Sequence, residues 1–244
     1  MKRLRAIVEY DGTDFEGFQV QAYKRTVQGE LERALRKITG EKIRVIGAGR
    51  TDTGVHATGM GVHFTTTWDK SPEVLQRALN AVLPSDIAIR SLVPVPADFS
   101  ARYSAKRRAY RYTILNQAIR SSLARRYALW VPEPLDADAM DAAARCLVGK
   151  RDFGAFGTPP RGDALCAVRE VYRAQVTREG VRVLVDLEAN AFLYRMVRRV
   201  VGTLLIVGKG ALSVEEFREV IAKKRRAGPA VPPQGLCLVA VEYE

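Results

Sequence analysis

Hydrophobic positions in this chain follow two spacings, and the switches between them outline its elements. Leu4 to Tyr10 alternates weakly and is rich in β-formers, until Asp11-Gly12 marks a turn. From Thr26 to Lys37 the spacing becomes helical: Val27, Leu31, Leu35 and Ile38 fall on one face, and Gly40 supplies a stop. Ile43 to Ile46 reads as a strand, Gly47 to Thr58 as a polar loop and Met60 to Thr66 as a second strand. Pro72 to Ala81 follows as a helix and Ile87 to Val95 as a strand, so the first stretch is predicted as β-α-β-β-α-β.

After Phe99 to Lys106 the order returns. Tyr110 to Leu115 is a strand, Ala137 to Leu147 a helix, and Val168 to Thr177 with Val181 to Leu187 a hairpin turning at Glu179-Gly180. Phe192 to Val207 is a helix, Ser213 to Lys223 an additional one, and Leu236 to Tyr243 a final strand. Two ferredoxin-like halves, residues 1–105 and 106–244, are therefore expected in an α+β protein, related by a pseudo-twofold without sequence repetition. They would share one continuous, mainly antiparallel sheet with helices on one face and a cleft between the halves.

Charge narrows the function. Among 244 residues, 39 Lys+Arg against 27 Asp+Glu give a net +12, and 29 of the basic residues are Arg. Arg binds phosphate through a planar fork and stacks on bases, so the excess points to a polyanion such as nucleic acid. A generally Arg-rich proteome would produce the same bias. Cys146, Cys166 and Cys237 are odd in number and lack any CxxC spacing, which argues against a disulfide framework and a zinc site. The start has no hydrophobic signal core and no apolar run reaches membrane-spanning length, so a soluble, cytoplasmic protein is expected. Lys223 to Pro229, running on towards Gly235, reads as a flexible basic loop, either plain solvated surface or a phosphate contact.

The candidate chemistry lies in Gly47-Ala48-Gly49-Arg50-Thr51-Asp52-Thr53-Gly54-Val55-His56-Ala57. Its glycines permit positive φ and close backbone approach. Between two strands, such a loop displays one carboxylate and one guanidinium. Taken alone, an Asp two residues before Gly most often makes an Asx-turn. The run lacks the Lys-Ser/Thr ending of a P-loop and no GxGxxG follows a strand, so nucleoside triphosphate binding is not indicated.

Gly-Arg-Thr-Asp-x-Gly-Val-His, at 49–56, resembles the signature of the TruA branch of the pseudouridine synthases. Further matches follow in order along nearly the whole chain. Glu9-Tyr10-Asp11-Gly12 and Gly17-Phe18-Gln19 resemble the family's opening, with Phe18 where Trp is common. Phe99-Ser100-Ala101-Arg102 precedes Tyr110-Arg111-Tyr112, and Leu147-Val148-Gly149-Lys150 leads to Asp152-Phe153. Ala191-Phe192 leads to Met196-Val197-Arg198, and Gly235-Leu236-Cys237-Leu238 opens the last strand.

The resemblance implies isomerisation of uridine to its C-glycoside in tRNA, at positions 38 to 40 of the anticodon arm. No cofactor or metal is expected, the substrate tRNA is the partner, and a homodimer is implied. Asp52 would be the catalytic carboxylate, acting as nucleophile or base. A carboxylate in a partly dry pocket needs a nearby cation. Arg198 suits that role, at the edge of an apolar helix face formed by Leu193, Met196, Val197, Val200, Val201 and Leu204. On its strand Tyr110 shares a side with Arg108 and Tyr112, an aromatic and basic face able to stack a base. By resemblance Tyr110 stacks on the target uracil, and Leu236 supplies an apolar pocket wall. A uridine in a stem must leave the stack first, and Arg50 is the candidate for its extrusion. The rival from another class is a non-catalytic RNA-binding or tRNA chaperone protein on the same fold, which has no chemical need for Asp52, Tyr110 and Arg198 together. His56 and His63 lack an evident ligand set, and His56 is expected to serve as a hydrogen-bonder of the loop.

Overall fold

The computed structural model describes residues 1–159 and 167–244. Cys166 and the reading of its spacing lie outside these residues. In chain order the elements are β1 (Lys2–Tyr10), α1 (Val27–Thr39), β2 (Ile46–Gly47), β3 (His56–Thr66), α2 (Pro72–Val82), β4 (Ile87–Pro94) and β5 (Arg107–Asn116). They continue as β6 (Leu129–Val131), α3 (Ala137–Arg145), β7 (Gly149–Asp152), β8 (Val168–Glu179), β9 (Arg182–Ala189), α4 (Met196–Gly208), α5 (Val214–Ile221) and β10 (Leu236–Glu242). Strand pairing is mostly antiparallel, and the fold is α+β as expected. Two compact units emerge, Met1–Lys106 with Cys237–Glu244, and Arg107–Leu236.

In the first unit β1 pairs antiparallel with β3 on one side and β4 on the other. β10 joins β3 in parallel, with Cys237 and Leu238 opposite His56 and Ala57. Leu4, Ala6, Val8 and Tyr10 alternate with less buried residues along β1, so one sheet face goes inward. A small interior void is lined by Ala6, Val8, Leu31, Leu35, Val62 and Leu79, which places α1 and α2 against that face. Thr26 caps α1 by accepting the Gly29 N–H, and Gly40 ends it at φ 75. The expected strand over 43–46 shrinks to Ile46–Gly47. Polar side chains of α1 take the bonds a ladder would have used: Val45 N–H donates to Glu32 Oε1 at 3.0 Å, and Val45 C=O accepts from Gln28 Nε2 at 2.9 Å.

β3 is buried on both sides, and the Phe99-Ser100-Ala101 segment explains the second cover. His63 Nδ1 accepts the Ala101 N–H at 3.0 Å, its ring meets Phe99 edge-on at 6.0 Å, and Arg3 Nη1 donates to the Phe99 carbonyl at 2.9 Å.

In the second unit β9 pairs antiparallel with β5 and β8, and β7 extends the sheet beyond β8. β6 adds to β5 in parallel. Tyr112 and Ile114 of β5, Val183 and Val185 of β9, Met140 of α3 and Val200, Val201 and Leu204 of α4 are almost wholly buried and form its core. The β8–β9 turn forms where expected, with Gly180 at φ 58. α4 begins at Met196, later than the expected Phe192. The preceding chain is committed elsewhere: Tyr194 bridges to Thr158, Asn190 Oδ1 accepts from Glu170 N and Ala191 N, and Arg195 turns at φ 60. β6 and β7 were invisible in the sequence because three or four residues, mostly polar in β7, carry no alternation. No described helix is long and apolar enough to cross a membrane.

Burial, and secondarily the charge of Arg3, pushes His63 below its ordinary value of 6.5. The unfolded chain then binds the proton more readily, so this contribution to stability is present above about pH 6.5 and is lost as pH falls through the lower folded value. Denaturant melts taken from about pH 7.5 to about pH 5.5 should show stability falling. In His63→Gln the fall should be shallower, and an equal fall in both proteins would remove His63 as its source.

Candidate active site

Short main-chain ties bring the opening motif and the Gly-Arg-Thr-Asp loop together in the first unit. Phe18 N–H donates to the Thr51 carbonyl at 3.1 Å and Gly54 N–H to the Phe15 carbonyl at 3.4 Å. Tyr10 Oη and Thr51 Oγ1 lie 2.8 Å apart and are buried, so Thr51 is held from beneath. Glycine is required at two crossings. A Cβ on Gly12 would strike the Val55 carbonyl, and one on Gly17, at φ 85, would come within 2.7 Å of the Thr51 carbonyl.

Asp52 stands at the start of a four-residue turn closed by Val55 N–H to Asp52 C=O at 3.2 Å, with Gly54 at φ 76 in the third position. Main-chain atoms close this turn. Asp52 is half-buried and Arg50 exposed on the same loop. His56 Nδ1 accepts the Gly12 N–H at 3.0 Å, which puts the imidazole proton on Nε2. Asp11 Oδ1, 3.2 Å from that nitrogen, is itself occupied by the Thr13 N–H and hydroxyl. His56 thus serves as a hydrogen-bonding post between the two turns.

The other expected residues belong to the second unit. On β5, Arg107 and Arg111 point to one side and pair with Glu188 and Asp186 of β9, at 3.0 and 2.8 Å. Arg108, Tyr110 and Tyr112 take the other side, as the strand period required. Tyr110 is half-buried, its ring set edge-on to Phe192 at 5.1 Å, and Arg108 Nη1 donates to the Asn190 carbonyl at 2.5 Å. Arg198, in the first turn of α4, is half-buried while Arg195 and Arg199 are exposed. Its Nε donates to the Val231 carbonyl at 2.7 Å, and Val231 N–H returns a bond to the Arg198 carbonyl at 3.1 Å. Leu236, buried, begins β10.

The basic loop is less free than its composition suggested. Lys223, at φ 60, pairs with Asp152, and that ammonium with the Gly154 N–H holds the Asp152 carboxyl below its usual range. Arg225 pairs with Glu216 at 2.7 Å and with Glu219 at 3.5 Å. Downstream, Gly228 N–H donates to Thr203 Oγ1 at 2.9 Å, and Gly202 of α4 lets the Pro229 carbonyl approach where a Cβ would block it. The sequence signal for this pinning was present: three prolines (229, 232, 233) facing a helix with Gly202. Among the described residues no group of three His, Cys, Asp or Glu is arranged to hold a metal.

A family model described as tRNA pseudouridine synthase matches residues 6–104 and 143–244, spans that include Arg50, Asp52, Arg198 and Leu236 but not Tyr110. A Caldicellulosiruptor bescii protein is 42% identical over 245 residues covering all of both chains, and one from Brevibacillus brevis 45% identical with the same coverage. A Geobacillus kaustophilus protein is 44% identical over all of this chain and 95% of its own. All three are named tRNA pseudouridine synthase A. The chain belongs to the tRNA pseudouridine synthase family, a family of isomerases.

Gly17→Ala should destabilise the protein by roughly 1–3 kcal/mol, combining left-handed strain with contact on Thr51. Because Thr51 adjoins Asp52, isomerisation should slow more than tRNA affinity falls. Denaturant melts, filter binding and a rate assay on one preparation check this, and an unchanged melt would mean the crossing tolerates a side chain.

Proposed function

We propose that this chain isomerises uridine to pseudouridine in tRNA, at positions 38 to 40 of the anticodon arm, with Asp52 as the reacting carboxylate. The observation that carries the reading is the Asp52 loop, whose shape is set by main-chain ties and glycine crossings in a chain of this family. Rigid support of that kind is what a group needs to meet a reacting atom within a fraction of an ångström.

The reaction balances without a co-reactant. The N1–C1′ bond of uridine breaks, the base turns, and a C5–C1′ bond forms. The proton on C5 leaves, and N1 takes one up. Asp52 acts either as nucleophile on sugar or base, or as the acceptor of the C5 proton. Arg198 pairs with the carboxylate and keeps it ionised as water is excluded. Tyr110 stacks on the uracil, Leu236 walls the pocket, and Arg50 holds the stem open once the uridine has left it. The net charge of +12 suits the polyanionic substrate. The enzyme works as a cytoplasmic homodimer, a second copy extending the basic surface available to one tRNA.

Incubation with unmodified tRNA transcripts and carbodiimide mapping of pseudouridine tests the reading. Wild type should modify the anticodon arm, and Asp52→Asn should slow the reaction by about 10³-fold or more while binding tRNA. Tight binding with no modification by the wild type would favour the non-catalytic binder instead. Normal turnover by Asp52→Asn would sink the assignment of the carboxylate. Affinity should also fall steeply with salt as phosphate counterions are released, and a flat response would contradict phosphate contact.

A further inference from the structure

Tyr112 is fully buried on β5, yet it carries a hydroxyl that a purely packing residue would not need. That hydroxyl donates to the Pro232 carbonyl at 2.7 Å. Burial pushes it well above its ordinary value of 10.0, against a smaller opposing influence from Arg198, so it remains a protonated donor at any working pH. The acceptor lies one residue from Val231, whose carbonyl and N–H are both bonded to Arg198.

The surrounding chain forms a strap tied down at intervals. Gly228 is bonded to Thr203, Pro229 sits on Gly202, Val231 clasps Arg198, and Pro232 receives the Tyr112 hydroxyl. Gly235 lies on the Tyr112 ring so closely that a Cβ there would come within 2.7 Å of it. Pro229, Pro232 and Pro233 fix their own φ angles, which narrows the conformations open to the strap between its ties. With Nε committed to Val231, the end-on pair Nη1 and Nη2 is the face of the Arg198 fork that suits a carboxylate, and that pairing depends on angle as much as distance.

We infer that Tyr112 is a positioning residue: by holding Pro232 it fixes the strap that aims the Arg198 guanidinium. This rests on the reading of Arg198 as the partner of the reacting carboxylate. Tyr112 touches neither substrate nor reacting atoms in this role, and acts through the strap alone.

The test uses full-length enzyme and tRNA labelled with tritium at uridine C5, because forming the new carbon–carbon bond expels that atom. Single-turnover tritium release, tRNA Kd and thermal unfolding are measured for wild type, Tyr112→Phe, Arg198→Lys and the double variant. Tyr112→Phe keeps the ring, so it should fold, bind tRNA within about twofold of wild type and react about ten- to a hundredfold more slowly. Arg198→Lys should also be slow, and adding Tyr112→Phe to it should cost little more, since both changes spoil one device. Losses that multiply, a wild-type rate in Tyr112→Phe, or a slower rate matched by an equal loss of affinity would each overturn the inference. A wild-type rate in Arg198→Lys would instead overturn the reading of Arg198, and with it this inference.

Discussion

Close approach of main chain to main chain, where glycine leaves out a side chain, is the constraint on which the rest of the first unit depends. Gly12 beneath Val55 and Gly17 beneath Thr51 let two turns more than 30 residues apart share hydrogen bonds as neighbouring strands would. The Thr51 and Asp52 carbonyls and the Gly54 and Val55 N–H groups are thus bonded without regular structure. His56 completes the arrangement as a side-chain post between the same two turns. The same logic recurs in the second unit, where Gly202 admits Pro229 and Gly235 lies against Tyr112.

Much of the fold was legible because its elements obey one period at a time. The spacing of Val27, Leu31 and Leu35 gave a helix whose cap and stop fall where Thr26 and Gly40 predicted. The alternation of β1 and the glycine of the β8–β9 turn behaved likewise. Misreadings came where tertiary bonds outbid local pattern. Ile43 to Val45 has strand composition, but Gln28 and Glu32 claim its backbone, and the bridge from Tyr194 to Thr158 delays α4 despite an apolar run that begins earlier.

The candidate site was legible in a different way. Periodicity placed Arg198 at the rim of an apolar face and Tyr110 beside Arg108 and Tyr112, and the burial of each side chain agrees. Chemistry could not be read from spacing alone; it came from the order of several motifs, and the family match covers most of them. What sequence missed was support. Composition made 223–235 a loose basic loop, because counting charges registers neither the acidic partners of Lys223 and Arg225 nor the strap that three prolines stiffen.

The parallel pairing of β10 with β3 bears on how the chain folds as it is made. Residues 237–244 belong to the same unit as 1–106, although the whole of the second unit lies between them. β2 covers that edge of β3 only at Val62 and His63, so until β10 emerges from the ribosome the His56–Ala57 end lacks its parallel neighbour. The second unit can begin to fold as soon as its own residues are synthesised, whereas the unit started first is the one finished last. Such an order leaves the nascent protein open to edge-to-edge association during translation, and makes the stretch from Cys237 onward a closing clasp.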